Sequence, residues 1–165
     1  KFKERTKQGL TDHGSSSRWP VMQVQKEVLE YLKTQRVGVL AVEMLDGSPH
    51  GATVHFAHTE APLMFYFETN PEYRKAEPLQ KNGKARATFV VGTSEDKPVR
   101  TLQLDGIVRV LKEDEMEKFE KIYFTKFPNK REKYKDQLFF CLEPNWWRYT
   151  NWDSPTGKIT LHSGS

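Results

Sequence analysis

The sequence predicts a mainly β domain with flanking helices, an α+β chain whose sheet bends toward a small barrel. Three observations predict it. Runs rich in β-branched and aromatic residues recur from Val37 to Trp152, separated by turn residues. Two amphipathic stretches, one before these runs and one among them, carry apolar residues at helical spacing. Gly106 interrupts the longest strand, where a bulge or bend would curl the sheet.

Composition bounds the function. With 165 residues the chain forms one domain with a real core. Apolar residues make up 36%, charged residues 29% and aromatics 12%, as expected of a soluble globular protein. No apolar run approaches the ~20 residues that cross a bilayer, and the N-terminus lacks the apolar centre of a signal peptide. Cys141 is the single cysteine, so no internal disulfide forms, which fits a cytoplasmic location. Lys plus Arg exceed Asp plus Glu by 26 − 22 = 4. That excess suits an anionic ligand and is too small to argue for nucleic acid.

In chain order, residues 1–20 are polar, without periodicity, and form an arm. Val21, Val24, Val28, Leu29 and Leu32 predict an amphipathic helix ending near Gln35. Val37 to Leu45 and His50 to His58 flank Asp46-Gly47-Ser48-Pro49 and predict a hairpin. Leu63 to Glu68 follows as a third strand, then a short helix over about 71–81. Ala85 to Val91 and Val99 to Leu111 are the next strands. The latter sets Leu102, Leu104, Val108 and Val110 on one face and Thr101, Gln103 and Asp105 on the other. Glu113 to Phe127 predicts a second long helix with Met116, Phe119, Ile122, Tyr123 and Phe127 inward and an acidic start. Pro128 to Lys135 continues as a turn and loop, its charges Lys130, Arg131, Lys133 and Lys135 forming a solvated face. Gln137 to Glu143 and Trp146 to Trp152 are the last strands, and 153–165 is a polar C-terminal segment apart from Ile159 and Leu161. The domain proper is thus 21–152.

The stretch Thr69-Asn70-Pro71-Glu72-Tyr73-Arg74-Lys75-Ala76 is the strongest candidate site. Asn70 suits an N-cap and Pro71 a first helical position, and Arg74 and Lys75 lie one turn in. An anion would meet the Thr69 hydroxyl, backbone N–H groups and two cations. The same residues also suit an ordinary capped surface helix with solvated charges. No GxGxxG, P-loop, HExxH or GxSxG motif is present. In a regular strand His50 and His58 share one face and His55 takes the other, so no metal site is expected. Cys141, between Phe140 and Leu142, reads as small core filler.

Element order and residues together resemble the FMN-binding split barrel of the pyridoxamine 5′-phosphate oxidase-like proteins, over Val21 to Trp152. TNPEYRKAEPLQKN resembles the family's phosphate-binding segment, and Arg100-Thr101-Leu102-Gln103-Leu104-Asp105-Gly106 stands where the family has an Arg-Gln-Val-x-Val-x-Gly strand. The resemblance implies that Thr69, Arg74 and Lys75 bind the flavin phosphate and that Thr53, Val54, His55 and Phe56 run along the ring and ribityl chain. It also implies a homodimer with flavin at the interface, where the facing subunit contributes Thr101, Gln103 and Trp147, with Trp146 the lesser contact.

The chain departs from the oxidases proper. Thr101 replaces their Gln, and Trp147-Arg148-Tyr149-Thr150 stands in place of their Arg-x-His substrate clamp. The resemblance therefore implies an FMN-dependent oxidoreductase acting on another small substrate, with no nucleic-acid or membrane partner. His55 is the candidate to orient or protonate substrate, or simply lines the cavity. A deazaflavin-dependent reductase and a non-enzymatic flavin- or haem-binding protein are the alternatives; haem would take His50, His55 or His58 as axial ligand.

Overall fold

The computed structural model describes residues 24–93, 95, 97–131 and 136–164. The arm 1–20, the predicted helix start at Val21, and Lys133 and Lys135 lie outside the described residues. Helix α1 spans Lys26–Thr34. The strands are β1 (Val37–Glu43), β2 (Pro49–His55), β3 (Ala57–Glu60), β4 (Leu63–Thr69), β5 (Lys84–Val91), β6 (Arg100–Val110), β7 (Leu138–Asn151) and β8 (Ile159–His162). Helix α2 spans Glu77–Asn82 and α3 spans Met116–Lys126.

The strands form one antiparallel sheet in the order β2-β1-β5-β6-β7-β4-β3, with β8 added on β7. The two ends of that order, β2 and β3, are separated in the chain by Phe56 alone. The sheet must therefore curl until its edges meet, and the result is a split barrel. Phe56, Phe65, Phe67, Phe89, Phe140, Trp147 and Tyr149 fill the interior, each fully buried. Helix α1 adds Val28, Tyr31 and Leu32 to that core, and the Tyr31 hydroxyl donates to the Arg100 carbonyl at 2.9 Å.

Helix α3 lies outside the barrel. Its Phe119, Tyr123 and Phe124 cover the outer side of β3, β4 and β7 at Ala57, Tyr66 and Cys141. Burial pushes the Cys141 thiol up to about 12, so it packs as an inert apolar residue. The opposite outer face, carried by β2, β1, β5 and β6, has no helix over it among the described residues. Val39 on β1 is 48% exposed there.

Two departures from the sequence pattern matter. Trp146 and Trp147 belong to one continuous strand that begins at Leu138, not to a separate one. Asp105 pairs with Trp146 and Gly106 with Pro144, which leaves Asn145 as the extra residue of a bulge. A single inserted residue reverses side-chain parity, so Phe140 and Leu142 point inward before it and Trp147 and Tyr149 after it. Gly106 is required at this point, because a Cβ would sit 2.2 Å from the Glu143 carbonyl oxygen. The segment after Trp152 is also part of the sheet, since Ile159–His162 pairs with Arg148–Asn151 of β7. Its alternation was too short to register as a strand.

No helix among the described residues is long and apolar enough to cross a membrane.

Candidate functional site

Strand β2 is the edge from which the site is built. It pairs with β1 alone, in the register Val37↔His55 to Glu43↔Pro49. The Phe56 N–H donates to the Arg36 carbonyl and the Met44 N–H to the Ser48 carbonyl. In an antiparallel ladder the hydrogen-bonded pairs alternate, so residues 50, 52, 54 and 56 turn their main chain toward β1. Gly51, Thr53 and His55 turn theirs to the open edge. They are also the exposed residues of the strand. The predicted quartet is thereby divided: Thr53 and His55 present backbone and side chain outward, whereas Val54 and Phe56 are buried in the core. A ligand along this edge meets N–H and C=O groups in alternation, the arrangement that pairs with a planar imide.

The chain from Glu68 to Lys75 runs beside that edge. Glu68 acts electrostatically on His55 at one end, and Arg74 acts on Asp46 of the β1–β2 turn at the other. The turn Arg74–Ala76 packs against β2. Its local structure differs from the sequence expectation. Asn70 does not cap a helix; its Oδ1 accepts the Glu72 N–H at 2.8 Å and its carbonyl accepts the Tyr73 N–H at 3.1 Å, making a tight turn. A 3-10 turn over Arg74–Ala76 follows, and α2 begins at Glu77. Asn oxygens form such local turns readily, and they compete here with helix initiation. What the segment offers an anion is consequently two cationic side chains rather than a row of helix N–H groups.

Those side chains differ. Arg74 is exposed and Lys75 is 8% exposed. Burial holds the Lys75 ammonium below the ordinary lysine value, and no carboxylate among the described residues acts on it. Its Nζ lies 4.7 Å from the centre of the Tyr73 ring. A partly desolvated cation without a counter-charge gains from the arrival of an anion. Thr69 is buried as well, and its hydroxyl donates weakly to the Asn70 carbonyl at 3.3 Å.

At the other end His55 stands in a cationic and aromatic cluster absent from the sequence expectation. Its ring meets Phe127 edge-on at 5.3 Å, and Arg36 lies over the same ring at 4.6 Å. Lys130 pairs with Glu68, whose side chain is only 6% exposed. The solvated-face reading of Lys130 is thus corrected: its own side chain is 20% exposed. Burial, and then the charge of Lys130, hold His55 below its ordinary value, while Glu68 pulls it the other way. Lys126 donates to the Gln35 carbonyl at 2.6 Å, and burial followed by Arg36 pushes it down to about 8. Arg36, Phe127 and Lys130 are far from β2 in sequence, so no local pattern could have grouped them. His50 and His58 share the inner face and His55 the outer, as the strand period predicts. His58 packs against Phe56 at 6.3 Å and Phe65 at 6.2 Å, and burial pushes it down to about 4.

The remaining predicted residues lie across the sheet. Thr53, Val39, Val90, Gln103 and Arg148 form one row on the uncovered outer face, one residue per strand. Gln103 accepts from the Arg148 guanidinium at 2.8 Å. Thr53 and Gln103 are three strand spacings apart, about 14 Å along the sheet. Thr101 is on the same face of β6. Trp147 is fully buried, so it presents no ring face to an external ligand; Trp146, 38% exposed, occupies the outer side instead. The bulge at Asn145 is the reason.

The family model described as pyridoxamine 5′-phosphate oxidase matches residues 24–151. Among solved structures, a conserved hypothetical protein from Mycobacterium tuberculosis is similar at 15% identity, with 82% of this chain and 90% of that chain covered and a TM-score of 0.62. An FAD-binding protein from Mesorhizobium loti is similar at 17% identity over 74% of this chain and 91% of that one, with a TM-score of 0.56. A haem-binding protein from Mycobacterium smegmatis gives 15% identity over 78% and 53%, with a TM-score of 0.58. At these identities the likeness is one of fold. No curated protein matches the chain.

Proposed function

The chain belongs to the pyridoxamine 5′-phosphate oxidase family, and from that premise we propose that it is an FMN-binding oxidoreductase acting on a small substrate. The observation that carries the proposal is Lys75, a largely buried lysine on which no carboxylate among the described residues acts, next to Arg74 and beside an unpaired strand edge. The residues present fit a flavin. Arg74 and Lys75 supply two cations for its phosphate, Arg74 as a bidentate donor. The outward main chain of Thr53 and His55 supplies alternating donors and acceptors for the imide edge of the ring.

When bound, the flavin supplies the redox chemistry, exchanging a hydride with the substrate. The chain's own part is to bind and orient. Lys75 and Arg74 neutralise the phosphate, Thr53 and His55 hold the ring against the β2 edge, and Phe127 and Arg36 wall the space beyond His55. Burial, and then the charge of Lys130, shifts His55 toward the neutral imidazole. In that neutral form its free ring nitrogen can accept a proton from a substrate atom.

The site is completed by a second copy. With Thr53 and Gln103 both taken as ring contacts, as the family resemblance implies, one tricyclic ring cannot reach both on the same sheet across about 14 Å, but it can touch them from two facing sheets. The exposed Val39, Val37 and Trp146 of the uncovered face suit such a contact. Gln103 and Thr101 then come from the facing copy, with Trp146 rather than Trp147 beside them.

A haem-carrying role is favoured by one observation only, the outward ring of His55. A Soret band on haem addition that disappears in His55→Ala would support it, while competition by a deazaflavin would support the reductase alternative. The test of the leading proposal is the visible spectrum of the purified protein before and after FMN, with the released chromophore identified by mass. Bound FMN that is lost in the folded Arg74→Ala/Lys75→Ala variant is the expected result. Unchanged flavin content in that variant refutes the assignment.

A further inference from the structure

Glu68 carries a buried carboxylate whose two oxygens are treated differently. Its side chain is 6% exposed. Oε1 accepts from Lys130 Nζ, which also donates to the Tyr123 hydroxyl at 3.3 Å. Oε2 is shielded from water and accepts no hydrogen bond among the described residues. A buried carboxylate oxygen left in this way is costly, so it marks a place for a donor.

The sheet register names that donor. Strands β3 and β4 pair as Ala57↔Tyr66. Continued back through Phe56, the same register sets Phe56 opposite Phe67 and His55 opposite Glu68. Burial obeys this parity: Phe56 and Phe67 both enter the barrel core, while Ala57 and Tyr66 both belong to the outer cluster under α3. His55 and Glu68 therefore share the outer face where the chain leaves the β3–β4 ladder for β2, and β2 packs against β4. Opposite residues on a ladder have Cβ atoms about 4.5–5.5 Å apart, close enough for an imidazole to reach a carboxylate. Both groups also adjoin the Phe127 ring, which His55 meets edge-on at 5.3 Å and the Lys130 partner of Glu68 approaches at 5.5 Å. The other charged groups around that ring are Arg36 at 4.6 Å and Lys126 at 5.9 Å, and neither can accept an imidazole N–H. The His55 ring is exposed, so turning it about its own side-chain bonds sacrifices no core packing.

We propose that Glu68 is the positioning residue of His55: Oε2 accepts the N–H of one ring nitrogen and leaves the other nitrogen bare on the open β2 edge. Lys130 occupies Oε1, which leaves Oε2 for His55. One tautomer is thereby fixed, and a proton taken up at the bare nitrogen makes an imidazolium whose charge Glu68 balances. What the bare nitrogen serves rests on the flavin reading, which this inference deepens; the Glu68 contact itself does not.

The test is nuclear magnetic resonance of the flavin-free protein carrying isotope-labelled histidine, for the wild type, Glu68→Gln and, to assign the His55 signals, His55→Gln. The wild type is expected to show a His55 ring N–H protected from exchange with water and a single tautomer of the neutral ring. Glu68→Gln is expected to lose that protected N–H and to lower the His55 pKa by about one unit, because an opposite charge beside the ring is removed. A merely structural pair of Glu68 with Lys130 gives no protected His55 N–H. A wild-type His55 that exchanges freely and populates both tautomers overturns the inference, whether or not the variant folds. So does a protected N–H that survives in folded Glu68→Gln with the pKa unmoved, since the ring then has another acceptor. FMN is added last to the same wild-type sample. Uptake with the protected N–H retained supports both readings, while no uptake strikes the flavin reading and leaves the Glu68–His55 contact standing.

Discussion

Replacing Lys75 by Met separates what this residue does for the fold from what it does for a ligand. The residue is only 8% exposed, and Met keeps nearly its length while removing the charge. In the flavin-free protein the ammonium is desolvated with no carboxylate to offset it. Its folded pKa is below the unfolded one, so the unfolded state binds more protons and stability rises with pH as the ordinary value of 10.5 is approached. Lys75→Met is therefore expected to be more stable than the wild type at pH 7. That advantage shrinks as pH rises toward 10.5. For the ligand the sign reverses. One charge-assisted hydrogen bond to a phosphate contributes about 1.5–3 kcal/mol, so the FMN dissociation constant is expected to rise by roughly 10- to 150-fold. Urea denaturation at several pH values measures the first effect and flavin fluorescence titration the second. A variant that is less stable at pH 7 yet binds FMN unchanged would refute the reasoning, because Lys75 would then have a structural partner rather than a vacant anion site.

Two further predictions follow from the packing. Arg109 bonds Glu115 at 2.7 Å and Glu143 at 2.5 Å, tying the start of α3 to β6 and β7, and the Arg109 bonds hold the Glu115 carboxyl down at about 2. That contribution to stability is complete above the ordinary glutamate value of 4.5 and is lost as pH falls toward about 2. Glu115→Gln should flatten the acid limb of stability over that window, measured by chemical denaturation across pH; an unchanged limb counts against the staple. Trp147→Ala should cost about 3–5 kcal/mol, as expected for a large core ring, and lower the urea midpoint. Trp146→Ala should change monomer stability by less than about 1 kcal/mol but weaken self-association in sedimentation equilibrium. The reverse pattern would place the two rings on the opposite faces.

Much of this protein was determined by local sequence. Alternation from Val37 to Leu111 set the strands of the hairpin, the third strand and the long β6. Its period alone placed Gln103 apart from Leu102 and Leu104, and His55 apart from His50 and His58, because residues two apart on a strand share a face. Gly106 announced the bulge, since a residue pressed against a neighbouring backbone has no room for a Cβ. Arg74 and Lys75 were legible as two neighbouring cations following Thr69 and Asn70, equally compatible with a proposed anion site and with a solvated surface turn. What tertiary structure alone decided was whatever depends on partners remote in the chain. Asn145 became an extra residue only through the register of β7 against β6, and that shift sent Trp147 inward and Trp146 outward. Lys130 left solvent because Glu68 was waiting across 62 positions. Lys75 became a largely buried lysine because Arg74–Ala76 packs against β2, and Thr53 and His55 acquired open main-chain groups because β2 ends the sheet. Hydrophobic period is written residue by residue. Burial, parity after a bulge and the meeting of charges belong to the closed barrel.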